Sequence, residues 1–145
     1  MVITKRDEGI MKMGLEQYFM TLVHISKMFF DKSRNVLEVP MKRVRELVNA
    51  GYLKTVRLRI GEKRLYVTTK QGVRHLKQKK LSSGLRAIKE VNDKTWEHEE
   101  MVTEVRIVFE KLLGFTEWIP ERILKKKMSE KRSRMRSQVT ANSVS

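Results

Sequence analysis

The chain reads PMKRVRELVNAGYLKTVRLRIGEKRLYVTTKQGVRHL from Pro40 to Leu76, and this stretch decides the fold that the sequence predicts. Its first part predicts a helix that begins at Pro40, because proline is tolerated in a first helical turn. The apolar positions, spaced as on one side of a helix, are Met41, Val44, Leu47 and Val48. Gly51 suits the left-handed position after the last turn. We therefore expect a helix with one buried side and with cations and an amide on its other sides.

A basic hairpin is predicted directly after this helix. Residues 55–60 and 64–68 alternate apolar and polar side chains, as half-buried strands do. A two-residue loop at Gly61-Glu62 would fix the pairing. That loop predicts four facing pairs: Leu58 with Leu65, Val56 with Val67, Arg57 with Tyr66, and Arg59 with Arg64. Like charges that face each other are destabilising. Either both arginines turn into solvent or an external polyanion neutralises them, and the surrounding positive charge favours the polyanion.

A second helix is predicted after the hairpin. Thr68 and Gln71 are spaced as a capping box, and Val73 and Leu76 follow inside the helix. The phrases ELVNAGYL (46–53) and LYVTTKQGVRHL (65–76) are similar to phrases of bacterial winged-helix DNA-binding proteins. The chain resembles the replication-relaxation family, which is associated with plasmids and mobile elements. This resemblance implies an α+β, mostly α fold: a winged helix-turn-helix with a helical C-terminal extension.

Composition and charge favour a nucleic-acid partner. The 145 residues carry a net charge of +15, of which residues 1–80 contribute +12, residues 90–121 contribute −6 and residues 122–145 contribute +7. Clustered positive charge is typical of nucleic-acid binders. An anionic membrane would require a basic amphipathic helix with aromatic residues on its apolar face, which the tail lacks. The chain has no cysteine, so disulfides and thiolate metal sites are excluded and a cytoplasmic location is expected. Neither a membrane span nor a signal peptide is expected.

The N-terminal residues predict two further helices. Thr4 and Thr21 are suited to be their N-caps, and Ile10, Met11 and Leu15 are core candidates of the first helix. His24 is expected to be a packed or partly exposed neutral histidine rather than a metal ligand, because no acidic residue or second histidine lies four positions away. Four polar residues of the loop at 31–39, namely Lys32, Ser33, Arg34 and Asn35, could touch phosphate oxygens or could simply be solvated.

The remaining residues predict an extension in several parts. Ser82-Ser83-Gly84 indicates a bend, and a short helix should follow with Leu85, Ile88 and Val91 on its apolar side. A long helix is expected from Trp96 to Leu113, with its apolar stripe formed by His98, Met101, Val102, Val105, Val108, Phe109 and Leu112. The stripe could form a homodimer surface, or it could pack against the protein's own N-terminal domain, which we favour slightly. An edge strand is expected around Pro120. We divide the chain into residues 1–80, residues 81–124 and a disordered basic tail at 125–145.

The extension also resembles the second half of the replication-relaxation family. WEHEEMVTEVRIVFEKLLGF (96–115) and WIPERIL (118–124) are similar to the opening of a degenerate nuclease-type segment, which places His98 on a helix and Glu121 on a strand. The later strands of a metal-dependent nuclease are missing from this sequence. Glu97, Glu100 and Glu104 share one helical side and could bind a metal, but a solvated side is favoured. We expect no enzymatic activity, no cofactor and no metal.

The sequence therefore predicts a non-catalytic protein that binds double-stranded DNA and regulates transcription, or the replication or mobilisation of a mobile element. The first helix of the opening stretch would enter the major groove, and the hairpin would contact the backbone or the minor groove. The candidate DNA-binding residues are Arg34, Lys42, Arg43, Arg45, Asn49, Arg57, Arg59, Lys63 and Arg64. Two alternatives are an accessory component of a plasmid relaxation or nuclease complex and a protein–protein interaction module.

Overall fold

The computed structural model describes residues 1–30, 37–58 and 64–143. The chain is mostly helical with a small two-stranded antiparallel sheet, which confirms the predicted α+β, mostly α class. The elements are α1 (Lys5–Glu16), α2 (Leu22–Phe29), α3 (Glu38–Asn49), β1 (Leu53–Arg57), β2 (Arg64–Thr68), α4 (Lys70–Gln78), α5 (Trp96–Ile107), a π-helix (Val108–Leu112) and α6 (Glu121–Ser143).

Both predicted N-caps are confirmed. The Thr4 hydroxyl accepts a hydrogen bond from the Asp7 N–H at 3.2 Å, and Asp7 Oδ2 accepts one from the Thr4 N–H at 2.8 Å. Thr21 caps α2 in the same reciprocal way, with His24 at the third helical position. These pairs satisfy N–H groups that a helix start leaves without intrahelical partners.

The main core lies between α1, α3, α4 and the sheet. Its fully buried side chains include Ile10, Met11, Leu15, Val44, Leu47 and Leu76. Met20, between α1 and α2, pairs with Tyr66 of β2 through two backbone hydrogen bonds of 2.9 and 2.8 Å. Tyr66 therefore belongs to this core and is only 8% exposed, although the predicted pairing had placed it on the outer side of the hairpin.

The pairing of β1 with β2 differs from the prediction by two residues. Val56 lies opposite Leu65 and Arg57 lies opposite Arg64. The predicted pairs of Leu58 with Leu65 and of Val56 with Val67 are therefore wrong. A shift by two keeps every side chain on its own face, so the alternation of apolar residues cannot distinguish the two pairings. The predicted two-residue loop, Gly61-Glu62, lies outside the described residues.

The helix after the hairpin begins one residue later than predicted. Thr69, not Thr68, is the N-cap of α4, and its hydroxyl accepts a hydrogen bond from the Gly72 N–H at 3.1 Å. The Thr68 hydroxyl is buried and donates to the Met11 carbonyl at 2.6 Å. Gly51 has the predicted left-handed conformation, with a φ of +88°.

The extension docks on the domain through apolar and polar contacts, with Leu85 and Ile107 in the main core. Residues 79–95 form no helix, so the short helix predicted around Ile88 is wrong. α5 buries Thr103, Arg106 and Ile107. Its apolar stripe faces solvent instead, with Met101 56% exposed. The favoured packing of this stripe against the protein's own domain is therefore wrong, because buried hydrogen bonds to α1 hold the opposite side of α5 inward.

One helix, α6, replaces the predicted edge strand and the predicted disordered tail. Pro120 lies immediately before it and accepts a hydrogen bond from the Leu124 N–H at 3.0 Å. Lysine, arginine, glutamate and methionine are good helix formers. Ion pairs one turn apart add to this preference, as between Glu121 and Lys125 at 2.8 Å. The low apolar content of the predicted tail therefore indicated correctly that its side chains are exposed, but it did not exclude a helix.

Candidate nucleic-acid interface

The outer side of α3 presents two cations and an amide. Pro40, Val44 and Leu47 are buried, and the remaining turns expose Lys42, Arg45 and Asn49. These three follow at steps of three and four residues, so they share one side of the helix. Met41 was predicted to be in the buried stripe, but it is 38% exposed and lies at the edge of this outer side.

Arg43, the fourth DNA-binding candidate on α3, is instead held by contacts within the protein. Its guanidinium pairs with both oxygens of the fully buried Asp7, donating from Nε at 2.9 Å, and it also pairs with Glu46 at 2.8 Å. Burial opposes ionisation of Asp7, but the hydrogen bonds from Arg43 and Thr4 outweigh it, so the pKa of Asp7 lies below its ordinary value. The hydrogen bond to Asp7 in turn raises the pKa of Arg43. Arg43 therefore joins α3 to the start of α1 and does not belong to the exposed surface.

The end of the hairpin carries a facing pair of cations. Arg57 and Arg64 lie opposite each other at the last described step of the ladder, and both are exposed. Alternation puts them on the sheet face that also carries Leu53 and Tyr66, two members of the main core. The predicted pairing of Arg64 with Arg59 is therefore wrong, and Arg57 is the cation that faces Arg64. Three candidates, Arg34, Arg59 and Lys63, lie outside the described residues.

α4 adds a basic side that the sequence analysis did not single out. Lys70, Arg74 and Lys77 are exposed and follow at steps of four and three residues. Hydrogen bonds tie the start of α4 to the end of α3: Thr69 Oγ1 donates to the Gly51 carbonyl at 2.5 Å, and Gln71 Nε2 donates to the Ala50 carbonyl at 3.1 Å. The cations of α4 therefore begin beside the end of α3. The helical spacing of these cations was the signal available in the sequence.

His24 meets two of the carboxylates that were considered as metal ligands. Its Nε2 lies 3.7 Å from Oε1 of Glu104, and the ligand atoms of His24, Glu100 and Glu104 all lie within 4.8 Å of one another. The Thr21 N–H donates to Nδ1 of His24, so a neutral imidazole carries its proton on Nε2. A proton on that nitrogen leaves no lone pair for a metal on the side of the carboxylates. The arrangement fits the predicted packed, neutral histidine better than a metal ligand.

The two residues implied by the nuclease-type resemblance do not form a catalytic arrangement in the described residues. His98 is exposed on α5. Glu121 was placed on a strand by the resemblance, but it is the first residue of α6 and pairs with Lys125. Burial raises the pKa of Glu99, and the nearby Glu121 carboxylate acts in the same direction. Glu121 is thus a second glutamate near Glu99, but the described residues after α5 contain no strand that could carry a nuclease centre.

Comparison with known proteins finds no relative. No family model, no curated protein and no solved structure matches this chain. None of the described helices is both long enough and apolar enough to cross a lipid bilayer.

Proposed function

We propose that residues 1–80 form a winged helix that binds duplex DNA without catalysis. The order of elements supports this fold: α1, the paired residue Met20, α2, α3 and the β1–β2 hairpin. Because Met20 exchanges hydrogen bonds with Tyr66, β2 lies between β1 and a short third segment. α3 would be the recognition helix and the hairpin would be the wing.

The observation that carries the proposal is the pair of exposed arginines across the wing. Facing cations destabilise a ladder unless something neutralises them. Arg57 and Arg64 make no ion pair with any residue in the described ranges 1–30, 37–58 and 64–143. Phosphate groups at the regular spacing of a duplex backbone would neutralise both side chains.

The outer side of α3 suits the major groove, which is wide enough to admit an α-helix. Arg45 and Asn49 are exposed there, and both residue types form paired hydrogen bonds to base edges. Lys42 and the cations of α4 supply further phosphate contacts. Arg43 takes no direct part, because Asp7 and Glu46 already occupy its guanidinium.

The biological role follows from the resemblance alone. The phrases at 46–53 and 65–76 support regulation of transcription, or of replication or mobilisation of a mobile element. The lack of cysteine suits a reducing cytoplasm.

The test is a fluorescence-anisotropy titration of a random duplex of about 25 base pairs over a series of salt concentrations. The wing variant changes Arg57 and Arg64 to alanine, and the helix variant changes Lys42 and Arg45 to alanine. The matched control changes Lys89 and Lys94 to alanine, which removes the same charge from exposed positions between α4 and α5.

Wild type should bind with a steep dependence on salt. Each lost phosphate contact should lower the slope of log affinity against log salt by about 1, so the wing variant should lose about 2. The control should retain the wild-type slope. If wild type fails to bind at low salt, or if the slope falls by the same amount in all three double variants, then the basic surface does not bind DNA as proposed. An acidic protein would then be the partner to test.

A further inference from the structure

An open pocket lies where the end of α1, the segment at 79–95 and the start of α6 meet. Its volume is about 370 Å³, within the range of about 300–1,000 Å³ that is usual for small-molecule sites. We call it the Tyr18 pocket. Beside Tyr18 and Leu85, it is lined by four cations, namely Arg86, Arg122, Lys125 and Lys126. None of the described residues that line it is a carboxylate.

Arg122 is a half-buried cation of this pocket. Its guanidinium donates to the Leu15 carbonyl and, from Nη2 at 2.8 Å, to the Arg86 carbonyl. Arg122 forms no ion pair with any side chain that the structure describes. Burial lowers the pKa of Arg122, although Tyr18 acts in the opposite direction. A half-buried charge without a counter-ion would be stabilised by an anion that enters the pocket.

The two lysines of α6 add to the positive charge of the pocket. Lys125 pairs with Glu121 at 2.8 Å, and Lys126 lies 3.8 Å from an oxygen of Glu130. The four cations less these two carboxylates leave a net charge of +2 at the pocket. A cleft that is lined by one sign of charge concentrates ions of the opposite sign.

Tyr18 and Leu85 give the pocket an apolar wall next to its cations. The guanidinium carbon of Arg122 lies 5.5 Å from the centre of the Tyr18 ring. Lys125 Nζ lies 6.0 Å from the same centre and 3.5 Å from the Tyr18 hydroxyl. The pocket can therefore hold an anionic group at its cations and an organic part against the ring.

The backbone beside the pocket has unfavourable conformations. Tyr18 has a φ of +73° directly after the C-cap of α1, where glycine is the usual residue. Ser83 has a φ of +52°, and its carbonyl accepts a hydrogen bond from Lys126 at 3.3 Å. Residues with a Cβ adopt such a φ at a free-energy cost, and strained backbone of this kind is concentrated at functional sites.

We propose that the Tyr18 pocket binds the phosphate group of a small molecule. A phosphate monoester carries a charge of about −1.5 to −2 at neutral pH, which matches the net charge of the pocket, whereas one carboxylate would neutralise only part of it. The two hydrogen bonds of Arg122 to carbonyls leave other N–H groups of its guanidinium for phosphate oxygens. Arg86 is exposed at the same pocket and adds a second guanidinium.

The proposal is tested by isothermal titration calorimetry of the full chain at physiological ionic strength, without DNA. The probes are adenosine 5′-monophosphate, adenosine and inorganic phosphate. The monophosphate or inorganic phosphate should bind saturably at one site per chain, and adenosine should not bind, since it lacks the phosphate. Tighter binding of the monophosphate identifies an organic phosphate as the ligand, and tighter binding of inorganic phosphate identifies the free ion. The proposal is overturned if neither phosphate probe binds saturably or if adenosine binds as well as its monophosphate.

A pair of matched variants separates the pocket from the general positive charge of the chain. The pocket variant changes Arg86 and Lys125 to glutamine, and the control changes Lys127 and Lys131, which do not line the pocket. All four side chains are exposed, so circular dichroism should show an intact fold in both variants. The pocket variant should bind about tenfold more weakly or worse, because it loses two charged partners of the phosphate. The control should bind as wild type. Equal affinities of the two variants would mean that a basic chain attracts anions without a site.

Amide chemical shifts in a nitrogen-15 NMR titration with the same probes locate the site. The largest changes should occur at Tyr18, Gly84 and Arg86. Changes confined to α3, around Lys42 and Arg45, would place the phosphate on the surface proposed for DNA and would overturn the pocket. No DNA is present in these titrations, so failure of phosphate binding and failure of DNA binding are distinguishable.

Discussion

Replacing Arg43 by alanine tests how the cations of α3 are divided between the fold and a partner. Arg43 pairs with both oxygens of Asp7, whose exposed fraction is 0%, while the arginine side chain is 19% exposed. Removing one partner of a buried ion pair leaves the other charge uncompensated and costs about 3–5 kcal/mol. The partial exposure of Arg43 lets water reach the site, so we expect about 3 kcal/mol, at the lower end of that range.

A loss of this size is a large fraction of the stability of a domain, which is about 5–15 kcal/mol. It should lower Tm by roughly 10 °C for a chain of this length. The measurement is thermal and urea denaturation followed by circular dichroism. The matched variant is Arg45→Ala, two residues away on the exposed side, which should change stability by no more than about 0.5 kcal/mol.

In DNA binding, the order of the two variants should be reversed: Arg45→Ala should have the larger effect. Below its melting range, Arg43→Ala should keep the wild-type salt slope, while Arg45→Ala should lose about 1 from it. If Arg43→Ala melts like wild type and loses DNA affinity as Arg45→Ala does, then Arg43 contacts DNA and its ion pair with Asp7 does not stabilise the fold.

Three further predictions concern the packing of the domain. The pKa of Asp7 is lowered in the folded protein, so ionised Asp7 stabilises the fold at pH values above the ordinary pKa of an aspartate. This stabilisation is lost as the pH falls through the lower pKa that Asp7 has in the folded state. The stability difference between wild type and Asp7→Asn should therefore shrink from pH 7 towards pH 2 in urea titrations; a constant difference would contradict this. Arg106→Met should cost about 1–3 kcal/mol, because Glu16 and Gln17 lose the hydrogen bonds from its guanidinium while Lys12 still pairs with Glu16 at 2.9 Å, and partial proteolysis should then release α5 from the domain. Gly72→Ala should cost at least about 2 kcal/mol, since its Cβ would lie 2.6 Å from the Tyr52 carbonyl oxygen; a variant with wild-type Tm would exclude this close approach.

Local signals in the sequence were sufficient for the starts of α1, α2 and α5 and for the class of the fold. Thr4 and Asp7 are three residues apart, so the whole capping box is visible in the sequence. The turn at Gly51 is equally local, because only glycine adopts its φ without strain. The long helix from Trp96 was also predicted close to its observed start.

Distant contacts decided what the sequence left open. The pairing of the hairpin is fixed by the bridge between Met20 and Tyr66 and by the hydrogen bond from Thr68 to Met11, groups far apart in the chain. The helical position of Arg43 allowed either a solvent-facing or a packed side chain. Its partner Asp7 lies 36 residues earlier, where no pattern within α3 could reveal it.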